Sequence, residues 1–390
     1  MTQTPSLAAV VAALDAAYDP AWADDWDAVG TVCGHPDAPV SKVLFAVDPV
    51  ATVVDEAIEW GADLLVTHHP LLLRAVHGVA AAAPKGRVVH DLIGHGIGLH
   101  TCHTNADSPA GGVSESLALA LGLDDLRPID PDPVEPLDKV VTFVPHAAVE
   151  AVVDALVAAG AGAIGDYDRC TFTSTGVGTF RPREGANPAI GEVGRVERVD
   201  ETRLEMVAAR PLRSQVVAAL RSAHPYEEPA FDLLAMADRP GDRGSGRIGR
   251  LAQRLSLADF ASRVVTALPA TSSVARVAGD PDGQVATVAV CGGAGDFLLE
   301  PVRHSGVDVY VTSDLRHHPA LEFREYAGPD PSSPALIDVP HWAAEWTWLP
   351  RAAERLRQDL AGSGATVEIR VSRLVTDPWT THLPMRGLAR

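Results

Sequence analysis

The chain of 390 residues contains only four cysteines: Cys33, Cys102, Cys170 and Cys291. They are scattered and none forms a C-x-x-C pair, so the sequence argues against a disulfide framework and against a metal site built from thiolates. Such cysteine usage is typical of proteins in a reducing compartment. We therefore expect a cytoplasmic protein.

Positive charge is also scarce. The chain has 32 lysines and arginines against 51 aspartates and glutamates, which gives a formal net charge of −19. Binding to a nucleic acid backbone or to an anionic membrane surface depends on clustered lysine and arginine. The sequence therefore argues against nucleic acids and membranes as partners.

Long apolar runs are missing as well. No stretch approaches the ~20 apolar residues of a membrane span. The first residues lack the basic region and the uninterrupted apolar stretch of a signal peptide, so we expect none. With 46% hydrophobic and 21% charged residues, the composition is that of a soluble globular protein. The length predicts two or three domains.

The most informative stretch is Leu64-Leu65-Val66-Thr67-His68-His69-Pro70. A short continuous apolar run predicts a strand that is buried on both faces, and the proline ends it. The two imidazoles then lie at the carboxyl end of a strand, where open α/β sheets place their ligand sites. Because neighbouring residues on a strand point to opposite faces, both rings reach one site only if the backbone turns there or if two metals are bound. An ordinary surface or core role for the pair stays open.

Apolar runs alternate with helical patterns along much of the chain. Residues 42–47 predict a strand, 52–60 a helix and 64–67 a second strand, and such a β-α-β unit favours parallel pairing. The region 138–236 instead follows the order β-α-β-β-α-β, which predicts a ferredoxin-like domain.

The predicted fold class is therefore α/β. Residues 1–130 and 240–390 form a split α/β core with mostly parallel strands, and the ferredoxin-like domain at 138–236 interrupts it. Stretches rich in proline, glycine and charge, 126–137 and 238–246, are the candidate linkers. Residues 291–296 predict a glycine-rich turn, which suits either a bound phosphate or a tight connection from strand to helix.

Imidazoles and carboxylates recur at the ends of four predicted strands. Because the carboxyl ends of neighbouring parallel strands converge, this recurrence predicts a metal site. Nitrogen and carboxylate ligands without thiolate favour Zn, Mn, Fe or Ni. The residues concerned are His68 and His69; His103 and Asp107; Asp314, His317 and His318; and His341 and Glu345.

Each group also has a simpler explanation. His341 and Glu345 share one helix face at a spacing of four, but taken alone the pair is more typical of a helix start and a solvated carboxylate. Asp107 suits a helix cap. The segment His224-Pro225-Tyr226-Glu227-Glu228-Pro229 suits a ligand site or a structural turn, and its role stays open.

Taken together, these motifs resemble one family, the Ngg-interacting-factor-three-like proteins. The family is also called GTP cyclohydrolase 1 type 2 homologues or dinuclear-metal-centre hexameric proteins. The resemblance covers nearly the whole chain, and the region 138–236 resembles the PII/CutA-like insert of its long members. The motifs that carry it are Thr67-His68-His69-Pro70-Leu71, His103-Thr104-Asn105-Ala106-Asp107, Gly111-Gly112-Val113, His341-Trp342-Ala343-Ala344-Glu345, Trp26-Asp27 with Gly30, and residues 244–251.

The resemblance implies two divalent metal ions per chain. Its implied ligands are His68, His69, Asp107, His341 and Glu345. Glu345 would bridge both ions, with His68 and His341 on one ion and His69 and Asp107 on the other. His103, Asp314 and His318 would lie in a second shell around the ligands. The chain departs from the usual family residues at Ala28, Ala106, Ser313 and Pro340, and none of these changes removes a ligand.

The resemblance also implies a homo-oligomer of six subunits and a metal-dependent hydrolase that acts on a small-molecule substrate. Opening of the guanine ring of GTP is its most specific form. The alternative is a non-enzymatic metal-binding regulator or scaffold whose PII-like insert senses a small molecule. The sequence gives both classes the same ligands and identifies no catalytic residue beyond them.

Overall fold

The helices of the computed structural model mostly follow the predicted ones. The structure describes residues 4–133, 135–237, 240–326 and 334–383. In chain order the helices are α1 (Leu7–Ala17), α2 (Ala51–Trp60), α3 (Pro84–Gly94), α4 (Thr104–Asp107), α5 (Val113–Ala120), α6 (Val149–Ala158), α7 (Arg213–Ala223), α8 (Leu257–Ala267), α9 (Leu299–His304), α10 (His317–Tyr326), α11 (His341–Trp346) and α12 (Leu349–Gly362). None of the described helices has both the length and the apolar character needed to cross a membrane.

The strands of the described residues form four sheets. In chain order they are β1 (Gly30–Cys33), β2 (Lys42–Ala46), β3 (Leu64–Thr67), β4 (Gly98–Thr101), β5 (Leu123–Arg127), β6 (Asp130–Pro133), β7 (Leu137–Pro145), β8 (Thr171–Phe180), β9 (Glu197–Ala209), β10 (Phe231–Ala235), β11 (Pro240–Ser245), β12 (Arg247–Ser256), β13 (Arg276–Ala278), β14 (Gln284–Ala294), β15 (Val309–Ser313), β16 (Ala335–Asp338) and β17 (Glu368–Val371).

The chain divides into two compact units. The first consists of Met1–Asp132 and Asp242–Arg390, and the second of Pro133–Gly241. The first unit is mixed α/β, which confirms the predicted fold class. Whether residues 138–236 act as a separate PII/CutA-like insert stays a prediction.

The first large sheet has the strand order β1-β4-β3-β2-β17. Strands β17, β2, β3 and β4 run parallel, whereas β1 pairs with β4 in the antiparallel sense. All four residues of β3 are buried, because helices cover both faces of this part of the sheet. The predicted β-α-β unit is therefore present as β2-α2-β3, and its second strand leads directly into His68.

The second large sheet has the order β13-β16-β15-β14-β12-β5. Its central strands β14, β15 and β16 are parallel and the outer ones antiparallel. Strand β16 leads through Val339 and Pro340 into α11. Pro340 is the N-cap residue of α11 with extended backbone angles, so its missing N–H leaves no helical hydrogen bond unmade.

The second unit is a four-stranded sheet in the order β10-β7-β9-β8, with every neighbouring pair antiparallel. Helices α6 and α7 pack on one face, against a core that includes Val152, Val216, Leu204 and Met206. The observed element order is β-α-β-β-α-β.

The boundaries between the two units fall inside the two candidate linkers, and short strands lie there as well. The stretch 126–137 contains the end of β5 and all of β6, and 238–246 contains β11, although residues 238 and 239 lie outside the described part. One prediction about a connection was wrong. The glycines at 292 and 293 do not form a turn, because β14 continues to Ala294 with an irregular register after Val290.

Candidate metal centre

Two parallel strands bring the first histidines together. The backbone bends at His68 and His69 directly after β3, where Thr67 Oγ1 donates to the His69 carbonyl at 2.9 Å. The bend brings both rings to the same side, with their centroids 5.2 Å apart. His103 follows β4, and its ring centroid lies 5.1 Å from that of His68 and 5.6 Å from that of His69.

Helix α11 supplies two more groups. His341 and Glu345 are one turn apart, and His341 Nε2 lies 2.8 Å from Glu345 Oε1. Glu345 is only 3% exposed, yet its carboxylate also approaches two other imidazoles. Its Oε1 lies 3.4 Å from His68 Nε2, and its Oε2 lies 3.0 Å from His69 Nε2. Glu345 is therefore the residue around which the histidines are arranged.

Each of the four histidines has its Nδ1 atom tied to an oxygen. His68 Nδ1 lies 2.9 Å from the Cys102 carbonyl oxygen, which can only accept, so this nitrogen carries the hydrogen. The other three bond to carboxylates: His69 Nδ1 to Asp48 at 2.7 Å, His103 Nδ1 to Asp27 at 2.8 Å and His341 Nδ1 to Asp314 at 2.7 Å. This arrangement fixes the ring orientation and leaves each Nε2 free to bind a metal.

Several buried acceptors in the centre lack a hydrogen-bond donor among the described residues. They are His68 Nε2, Asp107 Oδ1 and Glu345 Oε2. In addition, the Nε2 atoms of His69 and His341 face each other at 3.3 Å. Lone pairs and carboxylate oxygens held this close repel one another unless a cation lies among them. The residues present therefore fit a bound metal.

The distances group the ligands differently from the pairing that the resemblance implied. The ligand atoms of His69, His341 and Glu345 lie within 4.8 Å of one another, and so do those of His68, His69 and His103. Asp107 Oδ1 lies 3.7 Å from His68 Nε2, while no ion pair joins it to His69 in the described part of the chain. On these distances His341 belongs with His69, and Asp107 with His68.

The close packing of imidazoles and carboxylates shifts the pKa values of these residues. Burial alone would raise the pKa of Glu345, but the charges of His69, His341 and His68 hold it well below its usual range. Burial would lower the pKa of His69 and His341, yet Glu345 and the carboxylates behind each ring raise them to about 10 and about 11. Burial raises the pKa of Asp107 to about 7. In the absence of metal, the centre therefore holds protons in its place.

The remaining predicted positions fall into different surroundings. Asp314 accepts from His341, as described above. His318 is exposed on α10, where its ring packs on His317, and no hydrogen bond or ion pair of the described residues joins it to the ligands. His103 was expected to support the ligands from behind. Its ring instead contacts the rings of both His68 and His69, so it lies among the ligands themselves.

One supporting carboxylate, Asp48, was not predicted from the sequence. It lies at the end of the strand predicted for 42–47, as the ligands do at their strands, and this position was the available signal. Asp27 was seen only as part of the Trp26-Asp27 motif. Its side chain is buried and accepts from His103, from the backbone and hydroxyl of Thr104, and from the Ala28 backbone N–H.

The lack of a side chain at Gly293 leaves space for the Glu345 carboxylate. Gly293 on β14 has φ +73, and a Cβ built there would lie 2.6 Å from Glu345 Oε1 and 3.6 Å from His341 Nε2. Any side chain at this position would therefore press on the carboxylate. Gly293 thus serves the candidate metal centre and not the turn that the sequence predicted.

Two cavities of about 610 Å³ each reach the centre from different sides. One is lined by His69, His341, Asp48 and Asp314 together with the segment 376–382. The other is lined by His103, Asp107 and Glu345 and by the aromatic side chains of Trp22, Trp26 and Phe297. A small molecule of ordinary size would fit either one.

The comparisons with known proteins cover nearly the whole chain. The family model described as Duf34/NIF3 (NGG1p interacting factor 3) matches residues 5–378. A protein of Mycobacterium tuberculosis named GTP cyclohydrolase 1 type 2 homolog is 51% identical over 374 residues, which are 96% of each chain. One of the same name from Bacillus subtilis is 39% identical over 300 residues, 77% of this chain and 80% of the relative.

Solved structures agree with the fold. A crystal structure of a Bacillus cereus protein related to NIF3 shares 34% identity with a TM-score of 0.70, covering 98% of this chain and 100% of that one. A Staphylococcus aureus protein shares 27% identity with a TM-score of 0.81 over the same shares of the two chains.

Proposed function

The chain belongs to the Duf34/NIF3 family, and we propose that it binds two divalent metal ions and uses them as a metal-dependent hydrolase. The observation that carries the proposal is the set of four histidines whose Nδ1 atoms are tied back, three of which direct Nε2 at the buried Glu345. Such orientation of imidazoles by outer carboxylates and carbonyls is typical of metal sites.

The donor set indicates which metals suit the site. All the converging atoms are imidazole nitrogens or carboxylate oxygens, which favour Zn, Mn, Fe or Ni. Cys291 lines the neighbouring cavity, but burial raises the pKa of its thiol to about 12, so it stays protonated at neutral pH. Two such ions supply the Lewis acidity needed for the attack of water on an electrophilic carbon or phosphorus.

The residues of the chain have separate tasks in this proposal. On the observed grouping, His69 and His341 would hold one ion, His68 and Asp107 the other, and Glu345 both, with His103 within reach of the second group. Asp48, Asp314 and Asp27 orient the imidazoles. Five or six protein ligands for two ions leave coordination positions open for water and substrate, which favours chemistry over a purely structural role.

The relatives' name suggests the most specific form of the proposal. It is hydrolytic opening of the guanine imidazole ring of GTP. The cavity beside Asp107 and Glu345 has Trp22, Trp26 and Phe297 in its wall, and aromatic walls suit a planar heterocycle. We propose a small-molecule substrate of this kind, in a cytoplasmic homo-oligomer of six subunits. A clean monomer in light scattering at micromolar concentration would contradict the proposed oligomer.

A second candidate function is a non-enzymatic regulator. It is favoured by a cavity of about 640 Å³ within the second unit, which lies entirely among residues 143–230. In that case the second unit would sense a small molecule, and the metals would have a structural role.

Elemental analysis followed by a hydrolysis screen tests the first proposal. The purified protein should contain about two metal ions per chain and should hydrolyse GTP or another cyclic amide or phosphate ester. Chelation should abolish this activity and metal addition should restore it. Glu345→Gln serves as the inactive control. Full metal content without hydrolysis of any substrate in the screen would favour the regulator.

A further inference from the structure

The cavity of the second unit lies on the open face of its sheet. Leu204 and Met206 of β9 point toward α6 and α7, so by strand alternation Glu201 and Arg203 point to the opposite face. Both line the cavity, together with their β8 partners Gly176 and Ser174. The segments 180–190 and 226–230 supply the rest of its wall.

A buried carboxylate without a cationic partner lies in this wall. Glu201 is only 8% exposed, and the Tyr226 hydroxyl donates to its Oε1 at 2.7 Å. Within residues 135–237, no hydrogen bond reaches Glu201 Oε2, and no lysine, arginine or histidine forms an ion pair with this side chain. A buried charge left in this condition is unfavourable, because it loses hydration without gaining a counter-charge.

Glu205, a neighbouring carboxylate on the same face, is by contrast paired with basic groups that compensate its charge. Glu205 receives Lys139 Nζ at 2.9 Å and Arg203 Nε at 2.8 Å, and it is therefore neutralised from two sides. Arg203 also lies over the ring of Phe143 at 5.9 Å. The nearest basic group on the strand is thus directed to Glu205 and not to Glu201.

The backbone makes room for the Glu201 carboxylate. Gly178 on β8 lies against it, and a Cβ built there would come within 2.0 Å of Oε2. A side chain at position 178 would force the carboxylate out of its place. The aromatic rings of Phe180 and Tyr226, 5.9 Å apart, stand beside it in the cavity wall, and Phe143 adds a third.

We propose that this cavity binds a small organic cation, an amine carried on an apolar body, whose ammonium group pairs with Glu201. A buried carboxylate with an open oxygen, surrounded by aromatic faces, provides both the counter-charge and the cation–π contact that such a group requires. Arg181 and Arg203 also line the cavity, so an anionic ligand is the outcome that the experiment must separate.

Titration calorimetry on the full-length protein tests the proposal with three matched probes. Benzylamine carries the ammonium, benzyl alcohol is its neutral counterpart and benzoate its anionic one. We expect benzylamine to bind at least tenfold more tightly than either. Benzoate binding as tightly, or no detectable heat from benzylamine at millimolar concentration, would overturn the proposal.

Variants locate the bound amine. Glu201→Gln keeps the shape and the Tyr226 contact but removes the charge, and it should weaken benzylamine binding at least tenfold. Glu228→Gln removes an exposed carboxylate from the rim of the same cavity and should change affinity less than twofold. Equal losses in the two variants would mean a diffuse attraction and would refute a specific pairing.

A cavity-filling change guards against misfolding of the first variant. Ser174→Trp places a large ring in the cavity from the open face and leaves Glu201 in place. It should abolish benzylamine binding while circular dichroism stays that of the unaltered protein. Unchanged binding by this variant would place the amine elsewhere, for example at the metal centre, and would overturn the assignment.

Discussion

Glu345 in the first unit and Glu201 in the second are both buried carboxylates, 3% and 8% exposed, but their partners differ. Three imidazoles lie within 3.4 Å of Glu345, and further carboxylates hold two of these rings from behind. Glu201 has one tyrosine hydroxyl. The chain thus surrounds one charge with groups that bind a metal or protons, and it leaves the other charge to a ligand.

The difference shows why burial alone does not identify a metal site. A carboxylate becomes a bridging ligand only when further donors converge on it at distances that a cation can span. In the first unit, the ends of β3 and β4 and the start of α11 provide this convergence. In the second unit a single strand, β9, carries the charge. The following predictions test this contrast.

The largest effect is expected for Glu345→Gln. The amide keeps the shape but lacks the charge that offsets the repulsion between two neighbouring cations, so affinity should fall at both positions by about 100-fold or more. Elemental analysis should find little metal, and any hydrolysis should be lost. Circular dichroism should be unchanged, because the apolar cores of the unit remain. If the variant retains two metal ions at the original affinity, Glu345 is not the bridge.

His69→Ala should empty mainly one position. His69 lies with His341 and Glu345, so its loss removes one of the three groups at that ion, while His68, Asp107 and His103 still surround the other. About one metal ion per chain should remain. His68→Ala is the matched variant, and it should retain the ion that lies at His69 and His341. Loss of both ions in either variant would show that the two positions are not separable.

Asp48→Asn should weaken binding by about 10- to 100-fold, the usual effect of removing a carboxylate behind a ligating histidine. The amide cannot replace the charge that orients and polarises His69. A competitive chelator titration gives the affinities. Asp37→Asn is the control, since it removes an equal charge from an exposed loop, and it should change little. Similar effects in both variants would point to net charge and not to orientation.

The case of Asp48 shows how much of the centre the sequence predicts. The buried strands before His68 and His103 and the helical spacing of His341 and Glu345 are local patterns, and they were sufficient to find the converging residues. Asp48 lies at a strand end in the same way, but its pairing with His69 depends on how β2 and β3 align. Sequence spacing does not contain that register.

The parts of the fold that the sequence did not predict have a similar cause. Strand β12 is rich in arginine and polar residues, and it forms because β14 and β5 pair with its two edges. Strand β14 continues through two glycines because β15 lies beside it. In both places pairing between distant segments overrides local propensity. The glycine at 293 then has a role in the centre that its local pattern does not show.

The stability of the protein should depend on pH differently with and without metal. His69 and His341 have pKa values raised from 6.5 to about 10 and about 11 in the metal-free protein, so their contribution is complete below pH 6.5 and is lost as the pH rises through these values. The melting temperature of the chelated protein should therefore fall between pH 6.5 and about 11. Bound metal replaces the protons, so the metal-loaded protein should lose less, and the gap should widen with pH. A constant gap would contradict this assignment.

The smallest effect on the metal centre is expected from removing the second unit. All the converging residues belong to Met1–Asp132 and Asp242–Arg390, so a variant lacking 133–241, with a flexible Gly/Ser linker in its place, should still bind about two metal ions per chain. Ending the deletion at these residues keeps 130–132 and 242–245, which belong to the paired strands β6 and β11. Glu201→Gln in the full-length protein is the matched change, and it too should leave the metal content unaltered. A folded deletion variant that binds no metal, while Glu201→Gln binds two, would show that the centre requires the second unit as a whole, and the proposed independence of the two buried carboxylates would then be wrong.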